Sequence, residues 1–79
     1  MNIKILGTGC KKCNRLYELC KELVDEMSIE ASVEKIEDIK EIVGYGVMGT
    51  PGLVINEKVL VAGKLPSRKE VKKHIENNL

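Results

Sequence analysis

The sequence predicts an α/β fold with the element order βαβαββα, and three observations carry that prediction. A short β-prone run ends in glycines, leads into a segment whose apolar residues recur at three- and four-residue steps, and is followed by a second β-branched run. Two further apolar runs stand close together around a polar pair. A serine followed three residues later by glutamate then opens a last periodic segment.

Each element can be justified in order. Residues 2 to 6, NIKIL, make the first strand, stopped by Gly7 and Gly9. From Cys13 onward, Leu16, Leu19, Cys20, Leu23, Val24 and Met27 form one stripe, while Lys12, Arg15, Lys21, Glu22 and Asp25 fill the other side. That is an amphipathic helix. ASVEKI at 31 to 36 is β-branched but half polar, which suits an edge strand reached from the first through a right-handed crossover. Asp38 with Glu41 signals a second helix that sets Ile39, Ile42 and Val43 on one face and ends at Gly44 and Gly46. LVIN and VLVA, around Glu57 and Lys58, read as an antiparallel hairpin. Ser67 and Glu70 form a capping box for a last helix whose Val71, Ile75 and Leu79 face inward. The 79 residues leave room for one domain, 1–79, with no linker or repeat.

Composition removes several classes of function. Phe and Trp are absent and only Tyr17 and Tyr45 could stack on bases; with a formal charge of +1, this excludes an aromatic or strongly basic nucleic-acid surface. No apolar run approaches the roughly 18 residues of a membrane span, and MNIKIL leads directly into patterned sequence with no signal-peptide core. The expectation is a cytoplasmic protein, with no membrane or nucleic-acid partner. Three cysteines, an odd number, argue in that compartment against a structural disulfide framework and toward redox or metal chemistry.

All three cysteines lie in KILGTGCKKCNRLYELC, residues 4 to 20. A Cys-x-x-Cys in the first turn of a helix sets its Cα atoms about 5 to 6 Å apart, within disulfide reach. With Cys10 at the N-cap, its sulfur stands where a capping oxygen would and accepts N–H bonds from the first turn. The helix dipole, Lys11 and Lys12 all favour a thiolate there. Positive charge in a first turn is otherwise unfavourable, so the lysine pair reads as thiolate-stabilising. Cys10 can be exposed whereas Cys13 leans toward the packed face, so Cys10 should attack and Cys13 resolve. Cys20 lies seven residues beyond Cys13, roughly 10.5 Å along the axis, too far for a disulfide within the helix. It reads as core.

A second signal is YGVMGTPGLVI, where Pro51 heads a strand whose interior would exclude it. The cysteine pair at the mouth of the first helix, this tyrosine-glycine-to-proline run and the following hairpin together resemble the thioredoxin superfamily in its shortened, glutaredoxin-sized form. Small thioredoxin-like, redox-active disulfide proteins of archaea and anaerobic bacteria are especially similar, and the resemblance covers essentially the whole chain. It implies a minimal thioredoxin-like fold, a four-stranded mixed sheet with helices on both faces. It also implies a thiol–disulfide oxidoreductase that acts as a protein disulfide reductase or electron carrier. Cys10 would be the nucleophile, Cys13 the resolving thiol and Pro51 a cis-proline, with Thr50, Pro51 and Gly63 at the substrate. Backbone groups of Thr50 would receive an extended client segment. The reversible Cys10–Cys13 disulfide would be the only redox group, with no other cofactor. Partners would be disulfide-bearing client proteins and a reductant of the thioredoxin-reductase type, the chain itself being a monomer.

Two departures from the superfamily pattern stand out. Residues 1 to 9 hold no Asp or Glu where thioredoxins carry a buried acid, so the group that takes the Cys13 proton is not evident. After the last strand the chain reads AGKLPSRKE in place of a Gly-Gly segment with an acid, which gives glutathione no support as reductant. The alternative class is soft-metal binding, because paired thiolates suit copper(I) or zinc. Zinc would want four ligands, and the one histidine, His74, belongs to the last helix. A redox-inert interaction module is the third class, and the charge runs EKIEDIKE and SRKEVKKHIENN read instead as solvated helix faces.

Overall fold

The computed structural model describes residues 1–79. Its elements are β1 (Asn2–Leu6), α1 (Lys11–Glu26), β2 (Ser32–Ile36), α2 (Ile39–Gly44), β3 (Gly52–Ile55), β4 (Lys58–Ala62) and α3 (Arg68–Glu76). The sheet order is β2-β1-β3-β4. β1 pairs with β2 in parallel and with β3 antiparallel, and β3 pairs antiparallel with β4. This is the mixed four-stranded sheet of a minimal thioredoxin-like fold.

Strand alternation sorts the core onto two faces. Ile3, Ile5, Leu53 and Ile55 pack with Leu16, Cys20 and Leu23 of α1 and with Val71 and Ile75 of α3. Leu6 and Val54 point the other way, toward Ile42 of α2 and Val47. Helices therefore cover both faces. Each fully buried Leu or Ile contributes about 1.5–3 kcal/mol of transfer free energy, and the central strand β3 is buried at every position. No polar or charged residue is buried anywhere.

The caps explain where the helices begin. Asp38 accepts the Lys40 N–H at 2.9 Å and opens α2. Ser67 Oγ and the Glu70 carboxylate exchange bonds with each other's N–H groups, both at 3.2 Å, and open α3. The structure departs from the sequence reading in three places. Of the three α2 residues set on one face, only Ile42 is buried, while Ile39 and Val43 are 67% and 57% exposed. A six-residue helix meets the sheet along a single line, and the small cluster of Leu6, Val54 and Val47 has room for one side chain from it. Leu79 is exposed rather than inward because α3 ends at Glu76 and leaves it off the helical register. The hairpin turn is formed by Asn56 and Glu57, with φ of 50° and 67°, and Lys58 already pairs with Ile55. Two left-handed residues are what a two-residue type I′ turn requires, and asparagine adopts that conformation readily.

No helix is long and apolar enough to cross a membrane. On the α2 face, Lys4 Nζ donates to Glu57 Oε1 at 2.8 Å and to the Tyr45 hydroxyl at 2.9 Å, and that hydroxyl donates to Glu57 Oε2 at 3.1 Å. The cluster ties the β3–β4 turn to β1 and the end of α2. Lys4 and Tyr45 also line, with Glu41 and Gly44, an open depression of about 330 Å³.

Candidate active site

The site lies where β1 gives way to α1. Gly7 continues the sheet through its N–H to Ile36 O at 3.0 Å, and Gly9 turns the chain with φ of +83°. Only glycine takes that left-handed conformation without a Cβ penalty. The turn delivers Cys10 as the N-cap of α1 in extended backbone, φ −72° and ψ 162°. Its sulfur accepts the Cys13 N–H at 3.2 Å, and its carbonyl accepts the Asn14 N–H at 3.0 Å. One turn of helix separates an exposed thiol, Cys10, from one that is 3% exposed, Cys13.

Gly7 is the seat of the Cys13 sulfur. A Cβ on residue 7 would collide with Cys13 Sγ, would stand 2.8 Å from Cys13 Cβ, and would touch Thr50 Cβ at 3.8 Å. Three segments thus converge there: the end of β1, the first turn of α1 and the loop before β3. In that loop the Thr50–Pro51 peptide is cis. Pro51 is buried and Thr50 is exposed. Pro51 O accepts the Gly63 N–H at 3.0 Å, and a Cβ on Gly49 would lie 3.3 Å from Gly63 Cα. Gly63 therefore borders the proline loop, as an exposed residue with φ of +82°.

The two thiols have opposite acidities. The neighbouring Cys13 thiol is the largest cause holding Cys10 below the ordinary thiol range, followed by the Cys13 backbone N–H and, more weakly, that of Lys12. Cys13 is pushed up, first by burial and then by the neighbouring Cys10 thiol and the charge there. Burial pushes the Cys20 thiol up to about 12. Lys11 and Lys12 are exposed, α1 has no acid in its first turn, and none of the five surface ion pairs involves either lysine.

Two residues at this site escape the sequence reading. The absence of a side chain at Gly7 makes room for a sulfur. Glu37 brings its carboxylate to 3.8 Å from the Cβ position of Gly9. Glu37 follows Ile36, which pairs in parallel register with Leu6, so in-register pairing of the two strands would have pointed to it. Elsewhere, no three His, Cys, Asp or Glu side chains converge as a metal site. Cys20 is buried, and His74 lies on α3.

A cysteine pair at a helix mouth, one thiol exposed and one buried, beside a proline loop on a minimal mixed sheet, defines a dithiol protein of the thioredoxin class. Comparison with known proteins gives the same answer more narrowly. Residues 1–76 match the family described as thioredoxin domain. A thioredoxin of Methanocaldococcus jannaschii is 40% identical over 77 residues, spanning 98% of this chain and 88% of the relative. A thioredoxin of Methanothermobacter thermautotrophicus is 37% identical over 73 residues, spanning 92% and 95%. The chain belongs to the thioredoxin family, and is a thiol–disulfide oxidoreductase.

Proposed function

We propose that this protein reduces disulfides in client proteins as a cytoplasmic, monomeric electron carrier, with residues 1–79 acting as one unit. The observation that carries the reading is the opposed state of the two thiols: Cys10 is exposed with a lowered pKa, and Cys13 is buried with a raised one. The Cys10 thiolate attacks one sulfur of the client disulfide, releases the other as a thiolate and forms a mixed disulfide. Cys13 then loses its proton and attacks Cys10 Sγ. The Cys10–client bond breaks, the second client sulfur leaves as a thiolate, and the Cys10–Cys13 disulfide closes. Two electrons pass from the dithiol to the client, and a reductant of the thioredoxin-reductase type returns them. No other cofactor takes part.

In this reading the surface around Cys10 receives the client. Thr50 offers backbone groups for strand addition, Pro51 and Gly63 shape the floor beside it, and Lys11 and Lys12 favour the Cys10 thiolate. Supporting the floor assignment is the contact of the proline loop with Gly63.

Insulin reduction by dithiothreitol is the direct test, and the protein should accelerate it well above the uncatalysed rate. A Cys13→Ser variant should accumulate a mixed disulfide through Cys10, read by mass spectrometry, while Cys10→Ser should accumulate none. Turnover equal to the uncatalysed control, together with tight stoichiometric uptake of copper(I) or zinc, would replace the redox reading with metal binding. Adducts on Cys13 in the Cys10→Ser variant would reverse the roles of the two thiols.

A further inference from the structure

The end of the sheet that carries the dithiol is divided by charge, although the chain as a whole has a formal charge of only +1. In the order β2-β1-β3-β4, the β1–α1 turn that leads to Cys10 stands between the C-terminal end of β2 on one flank and the proline loop and the end of β4 on the other. The β2 flank is acidic. Glu37 and Asp38 follow β2 directly, and the Glu37 carboxylate lies 3.8 Å from the Cβ position of Gly9. On the other flank, residues 46 to 52 hold no charge and residues 63 to 66 hold only Lys64. Lys64 is tied to the proline loop through its neighbour, since the Gly63 N–H donates to Pro51 O at 3.0 Å. Glu70, the acid nearest Lys64 in sequence, has its carboxylate engaged by the Ser67 N–H in the α3 cap. Lys11 and Lys12 open α1 immediately after Cys10, and they and Lys64 are all exposed and make no ion pair. Met48, in the same loop as Thr50, is 95% exposed. The path along the proline loop is thus bordered by one methionine and three unpaired ammonium groups, with no acid.

We propose that Lys11, Lys12 and Lys64 are specificity-determining residues, which direct the dithiol to disulfides whose cysteine is flanked by acidic residues in the client chain. The inference rests on the redox reading above and deepens it by giving the chemistry of the client. Complementary charge at the rim of a contact acts mainly on encounter, so the effect falls on the rate at which Cys10 attacks. Unit charges held roughly 8 Å apart in water change that rate by about two- to three-fold per pair at low salt. Two client acids facing the three lysines therefore gain about five-fold, and two client lysines in the same places lose the same factor. Glu37 belongs to the opposite flank of the β1–α1 turn, away from this path.

The test uses three symmetric peptide disulfides, dimers of N-acetyl-Gly-X-Cys-X-Gly-amide in which X is glutamate, glutamine or lysine. The reduced protein is mixed with each at neutral pH, and the peptide thiol is measured after rapid acid quench. Dividing each rate by that for dithiothreitol, a dithiol with no ammonium groups beside it, removes the peptides' own differences in reactivity. At about 10 mM salt the glutamate peptide should react about five-fold faster than the glutamine peptide, and the lysine peptide about five-fold slower. Both ratios should fall toward one at 1 M, where the screening length is about 3 Å. A ratio taken within one protein does not depend on how reactive its Cys10 is, so variants compare directly with the parent. Lys64→Gln should lower the glutamate-to-glutamine ratio by about two-fold, and the triple change Lys11→Gln, Lys12→Gln, Lys64→Gln should bring it close to one. Glu37→Gln should leave it unchanged. Equal rates for the three peptides in the parent at low salt would overturn the proposal. So would a preference that survives in the triple variant, or a ratio that Glu37→Gln moves as far as Lys64→Gln does. Failure of the parent to reduce any of the three peptides is a different result, which would remove the redox reading itself and the inference with it.

Discussion

Replacing Gly7 by alanine tests how the buried thiol is seated. The backbone at Gly7 is outside the left-handed region, so alanine is conformationally permitted there. Taken alone, such a change stabilises a protein by about 0.4–1 kcal/mol through the unfolded chain. The sterics act in the opposite direction and are larger. The new Cβ would collide with Cys13 Sγ and stand 2.8 Å from Cys13 Cβ. Rotating χ1 moves the sulfur but leaves the Cys13 Cβ where the helix backbone puts it, so the first turn of α1 must retreat by several tenths of an ångström. Overpacking of this kind costs about 1–3 kcal/mol, which leaves a net loss of about 1.3 kcal/mol at mid-range after the entropic gain. Urea unfolding should show a lower midpoint at an unchanged slope. Closure of the Cys10–Cys13 disulfide, read as the second thiolate released from excess 5,5′-dithiobis(2-nitrobenzoate), should slow as well, because Cys13 moves relative to Cys10. Gly44→Ala is the control. It closes α2, has a permissive backbone and meets nothing within 4 Å, so it should leave stability equal or raise it by less than about 1 kcal/mol. A Gly7→Ala protein as stable as the parent, with an undisturbed second release, would refute the idea that residue 7 is bare to accommodate the sulfur.

Two further outcomes follow from the site and the core. If Lys11 and Lys12 support the Cys10 thiolate, changing both to Glu should raise the Cys10 pKa and slow iodoacetamide alkylation at neutral pH by a few fold. The effect should fade with salt, since the screening length drops to about 3 Å at 1 M; overlaid pH profiles would leave the thiolate to Cys13 and the backbone donors. Burial raises Cys20 to about 12, above its value in the unfolded chain. That thiol therefore adds stability that is complete below the unfolded thiol range of about 8.5 and is lost as pH rises from there toward the folded value. Cys20→Ala should cost about 1 kcal/mol at pH 7 and leave turnover nearly intact. Its deficit should shrink by about 1.4 kcal/mol per pH unit above roughly pH 9. A deficit independent of pH in urea titrations under reductant would refute the assignment.

Much of the fold was legible because the sequence repeats its message locally. The α1 stripe runs over four turns, so one misplaced residue could not hide it, and the Ser67–Glu70 box is complete within four residues. The cysteine pair was legible for the same reason, since helix geometry alone fixes its spacing. The failures are where the decision lies outside the segment. α2 is too short for periodicity to say which of Ile39, Ile42 and Val43 meets the sheet, and the answer depends on how much apolar surface Leu6, Val47 and Val54 leave for it. Leu79 continues the spacing of Val71 and Ile75, but the helix ends before the pattern does.

In the proposed reading, two chemically identical thiols acquire different jobs through a gradient of burial across one turn of helix. Cys10 caps α1 in solvent and Cys13 points into the core edge, so an incoming disulfide can reach only the first. That selectivity has a kinetic cost. The burial that hides Cys13 from the client also raises its pKa, which slows the step that must release the client. An apolar core with no buried charge offers no internal acceptor to offset it, so in this reading the Cys13 proton has to leave at the boundary between core and solvent.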